Sequence, residues 1–229
     1  TAALRRFERE ARTCARLSHP QIITIFDFGG LAGEGAFLVM ELLTGVSLRY
    51  AMKQAGAVTP CRAAIWFDQI LDGIAMAHRQ GVIHRDLKPE NIMLLPTEDR
   101  IKILDFGLAK MRLPDAAETG SLTVPGAVMG TLCYMSPEQL AGQQVDQRSD
   151  LFSLGIMLVE TLTGKRPFDA AAAPELINAM LHRDFHLPSQ FTVRLDAVIQ
   201  KCIAKDRALR FANANKMRES LIPALREMS

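Results

Sequence analysis

Apolar residues recur at three- and four-residue spacing near the start of the chain, at Leu4, Phe7, Ala11, Cys14 and Leu17. That period predicts an amphipathic helix. His19-Pro20 ends it, because the residue before a proline is pushed out of the α region. QIITIFDF (21–28) and AFLVMELL (36–43) then follow as runs rich in Ile, Phe and Val, and they are expected to pair as a hairpin. The connector GGLAGEG holds Gly29, Gly30, Gly33 and Gly35. A phosphate-cradling glycine motif opens a helix, whereas a strand follows here, so the connector reads as a flexible turn.

From residue 44 onward the pattern becomes helical. Thr59 and Pro60 form an N-cap and first-turn pair, and Ala64, Phe67, Ile70, Leu71, Ile74 and Ala77 line one face of a helix running through Arg79 to Gly81. Asp150 is expected to cap a helix that is apolar nearly all round, Leu151 to Leu162, ended by Gly164. A helix of that kind belongs in the centre of a helical core. Residues 175–183, 193–204 and 213–228 predict three more helices; no internal repeat is visible, and no low-complexity segment beyond the short AAAA at 170–173.

The chain has 229 residues, 48% of them hydrophobic, enough to bury the core of one or two small domains. With 27 basic and 25 acidic residues the net charge is +2, which gives no electrostatic case for nucleic acid or an anionic membrane. Cys14, Cys61, Cys133 and Cys202 form no CxxC pair and read as reduced thiols, so a cytoplasmic setting is expected. The greasiest stretch, LFSLGIMLV (151–159), is far short of a membrane span, and TAALRRFERE has no signal-peptide apolar region. The first residue is not Met and lies inside a helical pattern, so the chain is expected to be cut from something longer.

VIHRDLKPENIMLL (82–95) crowds six polar or charged residues between apolar ones. IMLL (92–95) and IKIL (101–104), separated by PTEDR, predict a tight hairpin. Closing it brings Asn91, just before the first strand, beside Asp105, just after the second. Two hard oxygen donors suit Mg²⁺, or Mn²⁺, shared with water and substrate phosphates. Asp86 lies five residues before Asn91, and Lys88 adds a fixed positive charge. The set comprises a carboxylate to orient a hydroxyl, a cation to offset phosphate charge and two metal ligands. Alone, either His-Arg-Asp or Asp-Phe-Gly is as readily a charged turn.

In combination, HRDLKPEN, the hairpin and DFG resemble, in order, the catalytic-loop and metal-loop signature of protein kinases. The resemblance runs on through GTLCYMSPEQL (130–140), similar to the segment closing the activation loop with Ser136-Pro137-Glu138 where many members have Ala-Pro-Glu, and RSDLFSLGIMLVETLTGKRPF (148–168), similar to the central buried helix. It implies an α+β, bilobal fold, with residues 1–43 as a partial smaller lobe and 44–229 as a mainly helical larger lobe. It also implies a Glu138–Arg210 ion pair, a structural place for Asp150, and Glu10 as the helix Glu that pairs with a nucleotide-holding Lys. Met40 corresponds to the gatekeeper, Glu41 to Leu43 to the hinge that holds adenine, and Met93 to the apolar floor beneath the purine. As bare sequence these are ordinary core residues.

Lys88 and Thr131 resemble the serine/threonine-specific branch, and the wording around SPEQL is similar to the Hanks-type, eukaryotic-like kinases of bacteria. The resemblance implies γ-phosphoryl transfer from Mg·ATP to protein Ser or Thr, with Asp86 orienting the hydroxyl, Lys88 stabilising charge, and Asn91 and Asp105 holding metal. Arg85 is expected against a phosphorylated activation loop, His84 as a packed residue, and Thr119, Ser121 and Thr123 as loop phosphorylation sites, Thr123 foremost. Expected partners are ATP, protein substrates and a second copy for trans-autophosphorylation, with no nucleic acid and no membrane contact. The family's Gly-rich phosphate cover and Val-Ala-x-Lys strand precede helix C and are absent here, so these 229 residues alone are expected to transfer phosphate poorly or not at all. Two other readings stay open: a pseudokinase scaffold, and a small-molecule kinase sharing the fold.

Overall fold

The structure, a computed structural model, describes residues 7–8, 11–31, 35–96, 99–106 and 127–228. Residues 7, 8 and 11–14 are helical, with Phe7, Ala11, Cys14 and Leu17 buried as the spacing predicts. Two strands follow, β1 (Ile25–Leu31) and β2 (Gly35–Met40), paired antiparallel with Ile25 opposite Met40 and Leu31 opposite Gly35. The first strand thus sits later than the expected 21–28, whereas the second begins and ends earlier than the expected 36–43. Gly29 and Gly30 belong to β1, and Glu41–Leu43 lie beyond β2. The physical reason for the later first strand is a competing partner for residues 21–23: Ile103 N–H donates to the Gln21 carbonyl at 2.7 Å and Ile23 N–H donates to the Ile103 carbonyl at 3.0 Å, while Ile22 and Ile23 are buried.

A two-residue strand, β3 (Val46–Ser47), precedes α1 (Leu48–Ala55), so the helical pattern expected from residue 44 is interrupted at its start. Helix α2 (Pro60–Arg79) is capped by Thr59 and turns out through Gly81 at φ 74°. β4 (Ile92–Leu94) pairs antiparallel with β3 on one side and β5 (Ile101–Ile103) on the other. Six-residue and four-residue helices follow around the closing segment, α3 (Ala127–Leu132) and α4 (Pro137–Leu140).

Helix α5 (Gln147–Thr163) is buried continuously from Ser149 to Leu162. Its cap is Asp146, whose side chain accepts the Arg148 N–H, and not Asp150 as expected. Asp150 sits in the first turn with its carboxylate turned inward, where partners from another part of the chain use it (below). Helices α6 (Ala173–His182), α7 (Val193–Cys202) and α8 (Ala214–Arg226) complete the described chain. α2 lies along α8 and also packs on α5, and α7 packs on both α5 and α8. The result is an α+β arrangement in which a helical mass supports the β3–β4–β5 sheet. None of the four cysteines is in a disulfide, and no described helix is long and apolar enough to cross a membrane.

Candidate active site

Helix α2 delivers the chain into a loop, residues 82–91, that is built around one buried carboxylate. Asp150 is 1% exposed, accepts the His84 N–H on Oδ2 and the Arg85 N–H on Oδ1, both at 2.9 Å, and meets His78 Nε2 at 2.7 Å. Burial alone would raise the Asp150 pKa; the hydrogen bond from His78 and its neighbours outweighs burial and lowers it. With its two oxygens so held, the carboxylate fixes two successive backbone amides. Arg85 sits at φ 69°, a left-handed conformation that a non-glycine residue adopts only when its surroundings enforce it.

His84 is fully buried, and its ring lies 4.6 Å from that of Phe106. Nε2 lies 2.7 Å from the Leu104 carbonyl, which can only accept, so Nε2 carries the proton and Nδ1 is free to accept the Asp86 N–H at 3.3 Å. Burial lowers its pKa, which agrees with this neutral form. The imidazole therefore ties the loop to the segment carrying Asp105 and Phe106.

The short 3₁₀ turn Pro89–Asn91 brings Asn91 back beneath Asp86. Asn91 Nδ2 donates to the Asp86 carbonyl at 2.8 Å and to its Oδ2 at 3.3 Å, and Lys88 Nζ donates to the same Oδ2 at 2.8 Å. Lys88 also reaches Thr131 Oγ1 at 3.2 Å, across 43 positions. The register Ile92 opposite Ile103 sets Leu104 N–H on the Asn91 carbonyl at 2.9 Å, so Asp105, at φ 54°, leaves the sheet beside Asn91. Asp86, Lys88, Asn91, Asp105 and Thr131 are thereby brought into one neighbourhood.

Asp105 and Phe106 also line a hollow with Cys14, Ile25, Leu38 and Met40. The Cys14 thiol donates to the Phe106 carbonyl at 2.9 Å. Past Met40, Glu41 N–H donates to the Thr24 carbonyl at 3.0 Å, and Glu41 Oε1 accepts from Thr24 N–H at 2.7 Å and from Lys102 Nζ at 2.5 Å. Burial opposes ionisation of Glu41, but Lys102 and Thr24 lower its pKa. Leu43 and Met93 are half-buried, Met93 lying opposite Lys102 and Ser47 in the sheet, and Leu42 is exposed. Glu138 and Arg210 meet behind the closing segment. Glu10, Gly107, Thr119, Ser121 and Thr123 lie outside the described residues.

Sequence reading missed three groups. His78 and the inward role of Asp150 are 72 positions apart and carry no local signal. Arg49 links Glu90 at 2.7 Å to the buried Glu160 at 2.8 Å and also meets the Tyr134 hydroxyl, which itself donates to Glu160. Gln139 donates from Nε2 to the Arg85 carbonyl at 2.8 Å. Only the last had a sequence cue, a Gln three residues after Ser136.

A family model described as the protein kinase domain matches residues 2–222. Serine/threonine-protein kinase PknB of Mycobacterium tuberculosis is 39% identical over 225 residues, covering 95% of this chain and 35% of the relative. PknB of Mycobacterium leprae is 38% identical over 224 residues, with 95% and 35% covered, and PknD of Mycobacterium tuberculosis 40% over 217, with 93% and 32%. The chain thus spans about a third of the length of the curated relatives it matches.

Proposed function

Because the chain belongs to the protein kinase domain family, we propose that it forms the catalytic part of a protein serine/threonine kinase, transferring the γ-phosphoryl group of ATP to Ser or Thr hydroxyls of proteins. The observation that carries this reading is the single Asp86 carboxylate shared by Lys88 and Asn91 within one loop. Asp86 orients the incoming hydroxyl and takes up its proton as the phosphoryl group moves. Lys88, held at once by Asp86 and Thr131, stands where charge builds on the transferring group.

Asn91 spends its amide N–H groups on Asp86 and keeps Oδ1 as an oxygen donor, while Asp105 offers a carboxylate beside it. This all-oxygen pair fits a hard divalent cation, Mg²⁺ or Mn²⁺, that also takes water and phosphate oxygens. Held by Asn91 and Asp105, such a cation would offset the negative charge of the nucleotide phosphates. Among the described residues no group of three or more His, Cys, Asp or Glu offers a rival site.

In the same reading, Met40, the Glu41–Leu43 backbone and Met93 surround the adenine, and Glu10 is the partner of the nucleotide-holding lysine. Residues 1–43 contribute to a smaller lobe and 44–229 make the larger one. Thr119, Ser121 and Thr123 are sites of activating phosphorylation read by Arg85, made in trans by a second copy in a cytoplasmic setting.

The test is transfer from labelled Mg·ATP to a generic basic protein and to the full-length protein itself, beside its Asp86→Asn variant. Incorporation that falls at least about a hundredfold in the variant is expected. A folded protein that incorporates nothing overturns the reading in favour of a pseudokinase scaffold.

A further inference from the structure

The peptide joining Arg85 to Asp86 is held from three directions. Arg85 N–H goes to Asp150 Oδ1 at 2.9 Å, the Arg85 carbonyl accepts from Gln139 Nε2 at 2.8 Å, and the Asp86 N–H faces His84 Nδ1 at 3.3 Å. Such anchoring is needed, since Arg85 is in the left-handed region at φ 69° and would relax toward an ordinary conformation without it. Relaxation rotates this peptide, and the Asp86 side chain turns with it.

Gln139 does two separable things. Its Oε1 accepts from the Ser136 N–H and the Ser136 hydroxyl, both at 3.0 Å, and the first of these bonds is the Gln139 half of the capping box of α4. A capping box needs only that oxygen, and Glu serves it as well as Gln. The amide nitrogen meets a different need. It reaches out of α4 to a carbonyl 54 positions earlier, one bond from Asp86. A carboxylate in its place would set oxygen against oxygen.

We propose that Gln139 is a positioning residue for phosphoryl transfer, its amide N–H₂ tying the segment Ser136–Leu140 to the Arg85–Asp86 peptide and so setting the orientation of the Asp86 carboxylate. Displacement of the closing segment is then transmitted to the reacting carboxylate through one hydrogen bond. Its effect on rate rests on the kinase reading above; the link itself does not.

Gln139→Glu in the full-length protein separates the two roles, because it keeps the cap and favours the N-terminal end of the helix while removing the donor. Thermal unfolding, kcat, the KM for ATP and amide hydrogen exchange over residues 84–87 are measured against the unsubstituted protein and Gln139→Met. We expect Gln139→Glu to unfold at the same temperature, with kcat lower by about tenfold, KM unchanged and exchange at Asp86 faster by about tenfold. Gln139→Met, lacking cap and donor, loses thermal stability as well. Unchanged kcat and unchanged exchange in Gln139→Glu overturn the proposal. If no form of the protein transfers phosphate, the kinase reading fails by itself, and exchange at Asp86 still decides the link: faster exchange supports it and unchanged exchange overturns it.

Discussion

Glu138 and Arg210, 72 positions apart, meet as a two-pronged ion pair, with Arg210 Nη1 2.7 Å from Glu138 Oε1 and Nη2 2.8 Å from Oε2. They are 4% and 3% exposed, and Ser149 Oγ also donates to Oε1. The remaining Arg210 donors reach the carbonyls of Ala204, Lys205 and Arg148, so the guanidinium joins the closing segment, α5 and the loop before α8. Removing one member strands a buried charge, so Arg210→Met should cost about 3–5 kcal/mol in denaturant unfolding. The double variant Glu138→Leu with Arg210→Met should recover part of that loss.

The same pair sets an acid limit. Burial would push the Glu138 carboxyl up, but Arg210 and then Ser149 bring it down to about 2 from 4.5. A carboxyl depressed in the folded state contributes stability that is whole above pH 4.5 and drains away as pH falls toward 2. Glu138→Gln is expected to flatten that part of the stability–pH curve while lowering stability at neutral pH, as equilibrium unfolding across pH 2–7 will show.

Lys205 behaves in the opposite sense. Its Nζ is buried, finds no hydrogen-bond acceptor among the described residues, and lies 3.9 Å from the centre of the Phe168 ring. Burial lowers its pKa to about 8 from 10.5, against the pull of Asp184. The unfolded chain therefore binds the proton more strongly between these values, and stability should rise with pH across that window. The ring contact returns roughly 1–2 kcal/mol, less than the burial cost, so Lys205→Met should stabilise the protein by about 1 kcal/mol at pH 7. That gain should vanish above pH 10.5, where the lysine is neutral in both states. A stability loss at pH 7 would mean that the cation–ring contact wins.

Gly155 decides how closely α5 approaches the end of α7. A methyl group there would lie 2.7 Å from Cys202 Cβ and 2.8 Å from Ile203 Cγ2. Gly to Ala inside a helix gains about 1 kcal/mol in propensity, whereas overpacking a close-packed core costs about 1–3 kcal/mol. A Cβ has no rotamer with which to escape, so overpacking dominates. Gly155→Ala should be less stable by about 1–2 kcal/mol, read as a lowered denaturation midpoint.

On the kinase reading, the metal dependence should trace to Asn91 and Asp105. Chelation should abolish phosphoryl transfer and excess Mg²⁺ restore it. Asp105→Asn should lower kcat by about a hundredfold at saturating nucleotide and raise the Mg²⁺ concentration needed for half-maximal rate. An unchanged Mg²⁺ requirement would remove Asp105 from the metal site.

Much of this molecule was legible along the chain because its decisive relationships are local. A five-residue connector between two apolar runs is enough to close a hairpin, and closure alone places Asn91 beside Asp105. The period of α2 and the all-apolar α5 likewise announced which faces are buried. The motifs HRDLKPEN and DFG, in that order, carried the resemblance to the family whose model matches the chain.

What tertiary structure decided are choices between equivalent local signals. Asp146 and Asp150 are both plausible caps by residue type, and packing of α5 against α2 is what turns Asp150 inward to the His84 and Arg85 amides, 66 and 65 positions away. Residues 21–23 are as strand-like as those in β1, yet the chance to hydrogen-bond with Ile103 draws them out of the hairpin. Arg49 with Glu160, and Gln139 with Arg85, depend on long-range closure of the chain. Periodicity and turn chemistry act over a few residues and so are written in sequence. The pairing of buried polar groups depends on which surfaces meet, and only the folded chain specifies that.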